Sequence, residues 1–295
     1  MIRSLQPDEV AWFVSRAVAY LGHIDPRGLS QRLAPRLRDP ATDAAHCFVH
    51  AVDDEPTAGV YVRAPTPEDD DQTLTLVSPW HQHDPEGLRR LVTTLLERFP
   101  HEAAVAPLHA VPGERGAELA EVLAPLGFVR DEMRRVRFEL ADVPPLGLPL
   151  VLESWSLQLD RAFRELYQRA EAKRVSDRFW AYLKRRGGSF RPDLWFVARE
   201  TLDQEPVGYA FCGAERRGLD AHYVLNGVGV LQEHRDSSEM LRRLVVSTLQ
   251  ELAGVSPFGT VEAELSTSDP KLIEILMSLG FTTVERYAVL VRMPS

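Results

Sequence analysis

Apolar residues along the chain fall into runs of period two and runs of helical period, and the same order of runs occurs twice. Cys47 to Val52 and Thr57 to Arg63 flank an Asp-Asp-Glu-Pro turn, and Leu194 to Arg199 with Pro206 to Gly213 repeat the arrangement. Each pair predicts a hairpin. A further strand is expected at Thr73 to Val77 and again at Tyr223 to Val230. Leu88, Leu91, Val92, Leu95 and Leu96 then follow helical spacing, as do Met240, Leu241, Leu244, Val245 and Leu249. Strands at Ala103 to Leu108 and Thr260 to Leu265 come next, each followed by a shorter helix that ends at Leu-Gly-Phe. Gly127 and Gly280 suit the left-handed position that stops a helix. Closing strands are expected at Arg135 to Leu140 and Tyr287 to Met293, and opening helices at Pro7 to Tyr20 and Asp160 to Ala170.

The recurrence is literal in places. Leu88-Arg89-Arg90-Leu91-Val92 returns as Leu241-Arg242-Arg243-Leu244-Val245, and Leu126-Gly127-Phe128 returns as Leu279-Gly280-Phe281. Val77 and Val230, Glu86 and Glu239, Glu121 and Glu274, Leu123 and Leu276 share the same ungapped register. Between the copies, Ala141 to Pro149 holds three prolines and a glycine, which interrupt regular structure. The expectation is two tandem α/β domains, residues 1–143 and 150–295, each a mixed, mostly antiparallel sheet flanked by helices.

Composition narrows the partners. Hydrophobic content of 44% with 26% charged residues is ordinary for a globular protein. No apolar run approaches the roughly 18 residues needed to span a bilayer, and the N-terminus lacks a basic region followed by an apolar stretch, so a cytoplasmic address without membrane contact is expected. The net charge of −9 argues against nucleic acid. Residues 1–145 carry 15 basic and 23 acidic side chains while residues 146–295 carry 19 and 20, so an anionic ligand meets less repulsion in the second copy. Cys47 and Cys212 each lie in an apolar strand-like segment and read as buried free thiols.

The order of strands and helices, with a helix ending in Leu-Gly-Phe, resembles the GNAT superfamily of acetyl-CoA-dependent N-acetyltransferases, over nearly the whole chain and twice. In that family the loop after the fourth strand reads Gln/Arg-x-x-Gly-x-Gly/Ala and begins five residues after a strand valine. Val230 and Arg235 keep that spacing, followed by Asp236-Ser237-Ser238-Glu239-Met240 in place of the glycines. In the first copy Val77 precedes Gln82, and His83-Asp84-Pro85-Glu86-Gly87 keeps only the last glycine. The resemblance implies acetyl-CoA as co-substrate. Its site residues in the second copy would be Val228, Gly229, Val230, Arg235, Asp236, Ser237, Ser238, Glu239, Met240 and Asp269, the last standing where the family has asparagine. It also implies an amine acceptor, on a small molecule or peptide, and an enzyme acting as monomer or homodimer.

The chemistry at these positions has two readings. A helix N-terminus offers free N–H groups and the positive end of its dipole to a pyrophosphate, and Ser237, Ser238 and Arg235 can add donors. Carboxylates such as Asp84, Glu86, Asp236 and Glu239 are equally what ordinary capping places there, and Pro85 removes an N–H. The first copy is therefore expected not to bind the cofactor. The family's proton-donating tyrosine falls on Leu276 and Leu123, which read as core. For proton removal, strand alternation puts His222 and Asn226 on one face with Val228 and Val230, making His222 the candidate base and Asn226 a candidate water-orienting group. The competing reading is a solvated strand-end histidine beside the Arg216 to Asp220 turn. Glu262 and Glu264 read as a solvent-facing stripe, and the aromatics Trp155, Phe163, Tyr167, Phe179, Trp180 and Tyr182 as core. His81-Gln82-His83-Asp84 only superficially suggests a metal site, and no metal is expected. A catalytically silent tandem module that binds a ligand or partner is the rival function.

Overall fold

Strand pairing over the period-two runs and helices over the 3.6-period runs build the expected elements, with several strands longer than their patterns predicted. The structure is a computed structural model, which describes residues 1–21, 46–108, 113–145, 147–185, 190–217, 220–267 and 269–293. In chain order the strands are β1 Ile2–Ser4, β2 Cys47–Val52, β3 Glu55–Arg63, β4 Thr73–His81, β5 Ala103–Pro107 and β6 Val129–Glu139. They continue with β7 Val151–Ser154, β8 Trp195–Arg199, β9 Pro206–Arg217, β10 Asp220–Val230, β11 Thr260–Ser266 and β12 Thr282–Arg292. The helices are α1 Val10–Leu21, α2 Pro85–Arg98, α3 Gly113–Leu123, α4 Asp160–Glu171, α5 Asp177–Arg185, α6 Ser238–Val255 and α7 Pro270–Ser278. Leu146 of the expected linker and Gly218 and Leu219 of the turn before His222 lie outside the described residues.

The chain divides into two compact units, residues 1–132 with 287–295, and residues 133–286. The linear cut between 143 and 150 does not describe them, because each unit takes its last strand from the other half of the sequence. In the first unit the strand order is β1-β2-β3-β4-β5-β12, and β12 runs antiparallel to β5, with Leu290 opposite Ala106. In the second unit the order is β6-β11-β10-β9-β8-β7, and β6 runs antiparallel to β11, with Val136 opposite Ala263. Alternation specifies which face of a closing strand is buried. It does not specify which copy of the sheet supplies the neighbour.

Each sheet is covered on both faces. In the first unit Phe13, Val14 and Ala17 of α1 pack on Cys47, Val49, Tyr61 and Trp80, while α2 and α3 pack on the other face around Leu74, Leu76 and Leu290. In the second unit Phe163, Leu166, Tyr167 and Trp180 of α4 and α5 pack on Trp195, Tyr209 and Phe211. The opposite face receives α6 and α7 over Leu225, Val261 and Phe281. Of the aromatics expected in the core, Phe163, Tyr167 and Trp180 are in it, Trp155 and Phe179 pack against it, and Tyr182 only meets the ring of Phe179; Leu123 and Leu276 are fully buried. Gly127 and Gly280 adopt φ of 84° and 102°, as the helix-stop reading requires. No helix among the described residues is long and apolar enough to cross a membrane.

The strand exchange has a direct consequence for stability. Leu290→Ala removes a buried side chain from the first unit's core and should cost about 2–5 kcal/mol there. Hydrogen exchange should show lost protection in β3 and β4 with β9 and β10 unaffected. Loss confined to the second unit would refute the exchange.

Candidate functional site

The site is built on a divergence between two parallel strands. In the second unit β10 and β11 pair in parallel from His222 with Thr260 to Leu225 with Ala263 and no further, while β10 stays paired with β9 as far as Val230 with Gly208. A bulge causes the parting. Leu225 faces Cys212 and Gly227 faces Phe211, so Asn226 is the extra residue, and a bulge kinks its strand and increases the local twist. One edge of residues 226–230 is thereby released from the parallel ladder.

The bulge also overturns the expected alternation. Before it, Tyr223 and Leu225 share the α6 and α7 face with Val261 and Ala263; after it, Val228 and Val230 turn to that same side, against Leu241 and Leu244 of α6. His222 and Asn226 thus do not form one face with Val228 and Val230. His222 lies within the paired segment and is 3% exposed, with Nδ1 2.8 Å from Thr260 Oγ1 and Nε2 3.4 Å from Glu262 Oε2. It is not the solvated strand-end residue of the competing reading. Glu262 is likewise no part of a solvent-facing stripe. It is buried and accepts hydrogen bonds from Arg137 Nε at 3.0 Å and Nη2 at 2.6 Å, while Glu264 pairs with Arg135 at 3.4 Å. The opposition to Val261, Ala263 and Leu265 holds, but the face is an ion-pair ladder shared with β6.

Beyond Val230 the chain runs from Leu231 to Ser237 before α6 begins. Ser237 is the N-cap, its hydroxyl accepting from Met240 N at 3.1 Å, and the N–H groups of Ser238 and Glu239 lie in a first turn that has no intrahelical acceptors for them. Asp236, Ser238 and Glu239 are exposed, whereas Met240 is buried in the core. Arg235 donates from Nη2 to the carbonyl of Ala170 at 2.5 Å, at the C-terminal end of α4, and its own carbonyl accepts from Lys271. Asp269 caps α7, accepting from Leu272 N at 3.1 Å.

Two residues that the patterning passed over stand beside the open strand. Tyr209 of β9 is buried and donates to Glu171 Oε1 at 2.6 Å. The pair lies directly on the glycines of β10. A Cβ added at Gly229 would fall 2.7 Å from the Tyr209 ring and 3.1 Å from Glu171 Oε1. Burial first, and then the Glu171 charge, hold the Tyr209 hydroxyl well above its ordinary pKa. The available signal was Gly227 and Gly229 inside a strand, which marks a bulge or a close approach. Cys212 is buried, and burial pushes its thiol up to about 12, which removes it as a nucleophile.

The equivalent place in the first unit is filled by the protein itself. β4 leaves β5 after Thr75 and Val105, and a bulge at Ser78 and Pro79 gives Ser78 a φ of 51°. Gly59 faces Trp80 as Gly208 faces Val230. Trp80, rather than Val77, is therefore the counterpart of Val230, and only Gln82, His83 and Asp84 separate the strand from α2. Asp84 Oδ1 accepts from Gly87 N at 2.8 Å, and Oδ2 accepts from Thr57 Oγ1 at 2.5 Å and lies 3.1 Å from His50 Nδ1. A Cβ at Gly87 would fall 2.0 Å from Asp84 Oδ2. The one motif glycine kept in this copy makes room for a carboxylate of the chain. His81 turns elsewhere, its Nε2 3.1 Å from Tyr20 Oη and 3.4 Å from Glu118, and burial lowers its pKa. His81, Gln82 and Asp84 of the superficial metal motif thus serve separate contacts, and among the described residues no group of metal-binding side chains converges.

Asp84 supplies a pH-dependent term. Burial alone would raise its carboxyl, but the hydrogen bonds from Thr57 and Gly87 and the neighbouring His50 hold it below its ordinary value. The stabilisation is therefore complete above the unfolded-state pKa of about 3.9 and is lost as pH falls through the lower folded value. Asp84→Ala should cost about 1 kcal/mol near neutrality, and the deficit against the parent should shrink on acidification in urea unfolding curves.

Neither protein-family models nor curated proteins match the sequence. Solved structures do match the fold. A GCN5-related N-acetyltransferase from Sphaerobacter thermophilus superposes with a TM-score of 0.64 at 15% identity, over 99% of this chain and 95% of its own. A tandem GNAT protein from the clavulanic acid biosynthesis pathway does so with 0.64 at 17% identity, over 100% and 99%. A GCN5-related N-acetyltransferase from Anabaena variabilis gives 0.64 at 11% identity, over 99% and 72%. With two parted-strand sheets, each followed by a helix that starts at the open strand's end, and with neighbours that cover the whole chain, this protein has the tandem GNAT fold.

Proposed function

We propose that the chain is an N-acetyltransferase that moves an acetyl group from acetyl-CoA to an amine of a small molecule or peptide, with one donor site per chain, in the second unit. The observation that carries the reading is the contrast between the two strand ends. In the second unit the open edge of residues 226–230 leads through Leu231 to Ser237 to a helix start with exposed Ser238 and Glu239; in the first, Asp84 occupies that start.

The residues present fit the donor. Val228, Gly229 and Val230 offer backbone groups on the released edge to an extended thioester arm. The first turn of α6, with Ser237 and Ser238, meets the pyrophosphate, and Arg235 exchanges a neutral carbonyl for a phosphate. A backbone N–H near Val230 stabilises the charge that develops on the thioester oxygen, a contribution on the order of 3 kcal/mol for a preorganised donor. Asp236 and Glu239 oppose the phosphates, so affinity depends on Arg235.

Calorimetric titration with acetyl-CoA tests the reading. One site per chain is expected, weakened about tenfold or more by Arg235→Glu and unaffected by Asp84→Ala. Absence of binding at millimolar acetyl-CoA would leave the silent ligand-binding module in its place.

A further inference from the structure

The structure leaves the acetyl-transfer reading without the base that alternation suggested, since His222 lies in the paired part of β10, between Thr260 and Glu262. A different carboxylate stands at the open part. Glu171 is the last residue of α4, half-buried, and the chain turns away behind it at Ala172, whose φ is 53°. Its Oε1 is held by the Tyr209 hydroxyl, and the pair is seated on Gly229, in the strand segment whose other edge has left β11.

We infer that Glu171 is the catalytic base of the second unit, taking the proton from the acceptor's ammonium group, and that Tyr209 is its positioning residue. The inference rests on the acetyl-transfer reading. Three features support the assignment. Glycine at 229 makes room for the Tyr209 ring, which a Cβ there would meet at 2.7 Å, and lets Glu171 Oε1 lie close to the strand. Tyr209 is kept protonated by burial and by the Glu171 charge, so it acts as a fixed donor to Oε1. Arg235, the cation of the donor loop, is bonded to Ala170, the residue before Glu171, so the donor loop and the base are joined through one helical turn.

The step balances. The carboxylate accepts one proton from R–NH3+ and leaves R–NH2 with a free pair. The nitrogen attacks the thioester carbon; the C–N bond forms, the C–S bond breaks, and the proton lost by nitrogen in forming the amide goes to the departing sulfur. Glu171 returns its proton to solvent. The acceptor is thus an amine that arrives as a cation, with the carboxylate as its counter-ion.

The test uses the full chain, acetyl-CoA and three probe amines (2-phenylethylamine, spermidine and glycinamide), with thiol release as the readout. In Glu171→Gln and Glu171→Ala, acetyl-CoA affinity should match the parent while amine-dependent kcat falls by about a hundredfold or more. Added formate should restore part of the rate in Glu171→Ala and none in the isosteric Glu171→Gln, a result that a merely structural role would not give. Tyr209→Phe should shift the acid limb of the kcat profile while retaining acetyl-CoA binding. The assignment is overturned if both Glu171 variants keep kcat within about threefold of the parent, or if the parent binds acetyl-CoA and releases no thiol with any probe. Failure of the parent to bind acetyl-CoA is a separate result, and it removes the acetyl-transfer reading and this assignment together.

Discussion

The structure turns on one backbone constraint, the refusal of β10 to stay paired with β11 beyond Leu225. A parallel pair that continued would satisfy every peptide group of both strands and leave no place for a ligand. The extra residue at Asn226 breaks that continuity while β9 keeps the other edge of β10 in register to Val230. The freed groups are therefore rigidly held from one side and open on the other. An open edge of this kind costs little rigidity, because α6 still packs Leu244 on Val230 and α4 still packs Tyr167 against Tyr209 and Phe211.

The same constraint operates in the first unit with a different outcome. There the strand end is followed by a short connection, and the capping carboxylate of Asp84 falls onto the helix start with Thr57 and His50 behind it. The helix start is capped by the chain in both units, by the Asp84 carboxylate in one and by the Ser237 hydroxyl, with Glu239 in the first turn, in the other. One fold therefore carries two different helix starts without any change of topology. The difference lies in a few residues of connection rather than in the sheet.

Much of the architecture was legible in the residues. Period two and period 3.6 placed the strands and helices, Leu-Gly-Phe located both left-handed glycines, and Asp84 does cap its helix. Three things were not. The closing strands β6 and β12 carry equivalent alternating patterns, so nothing in them states which sheet each completes. The bulge at Asn226 shifts the phase of β10, which no count of alternating residues detects, and it separates His222 from the open edge. The match of Val77 to Val230 held along the helices but missed the strand end, because the first unit extends β4 to His81 and shortens the loop. Glu171 and Tyr209 were invisible for a related reason. They are far apart in sequence and meet only because α4 crosses the strand at two glycines.

Arg235 shows how the pieces depend on one another. Its guanidinium sits at the C-terminal end of α4, where the helix dipole favours a cation, and it bonds the carbonyl of Ala170. That arrangement is cheap to give up. A single bond to a neutral carbonyl is worth less than charge-assisted, bidentate contact with a phosphate. Arg235 bonds the residue next to Glu171, whose carboxylate lies against Gly229. Arg235 and Glu171 thus meet at one helix end, although 63 residues lie between positions 171 and 235 in the sequence.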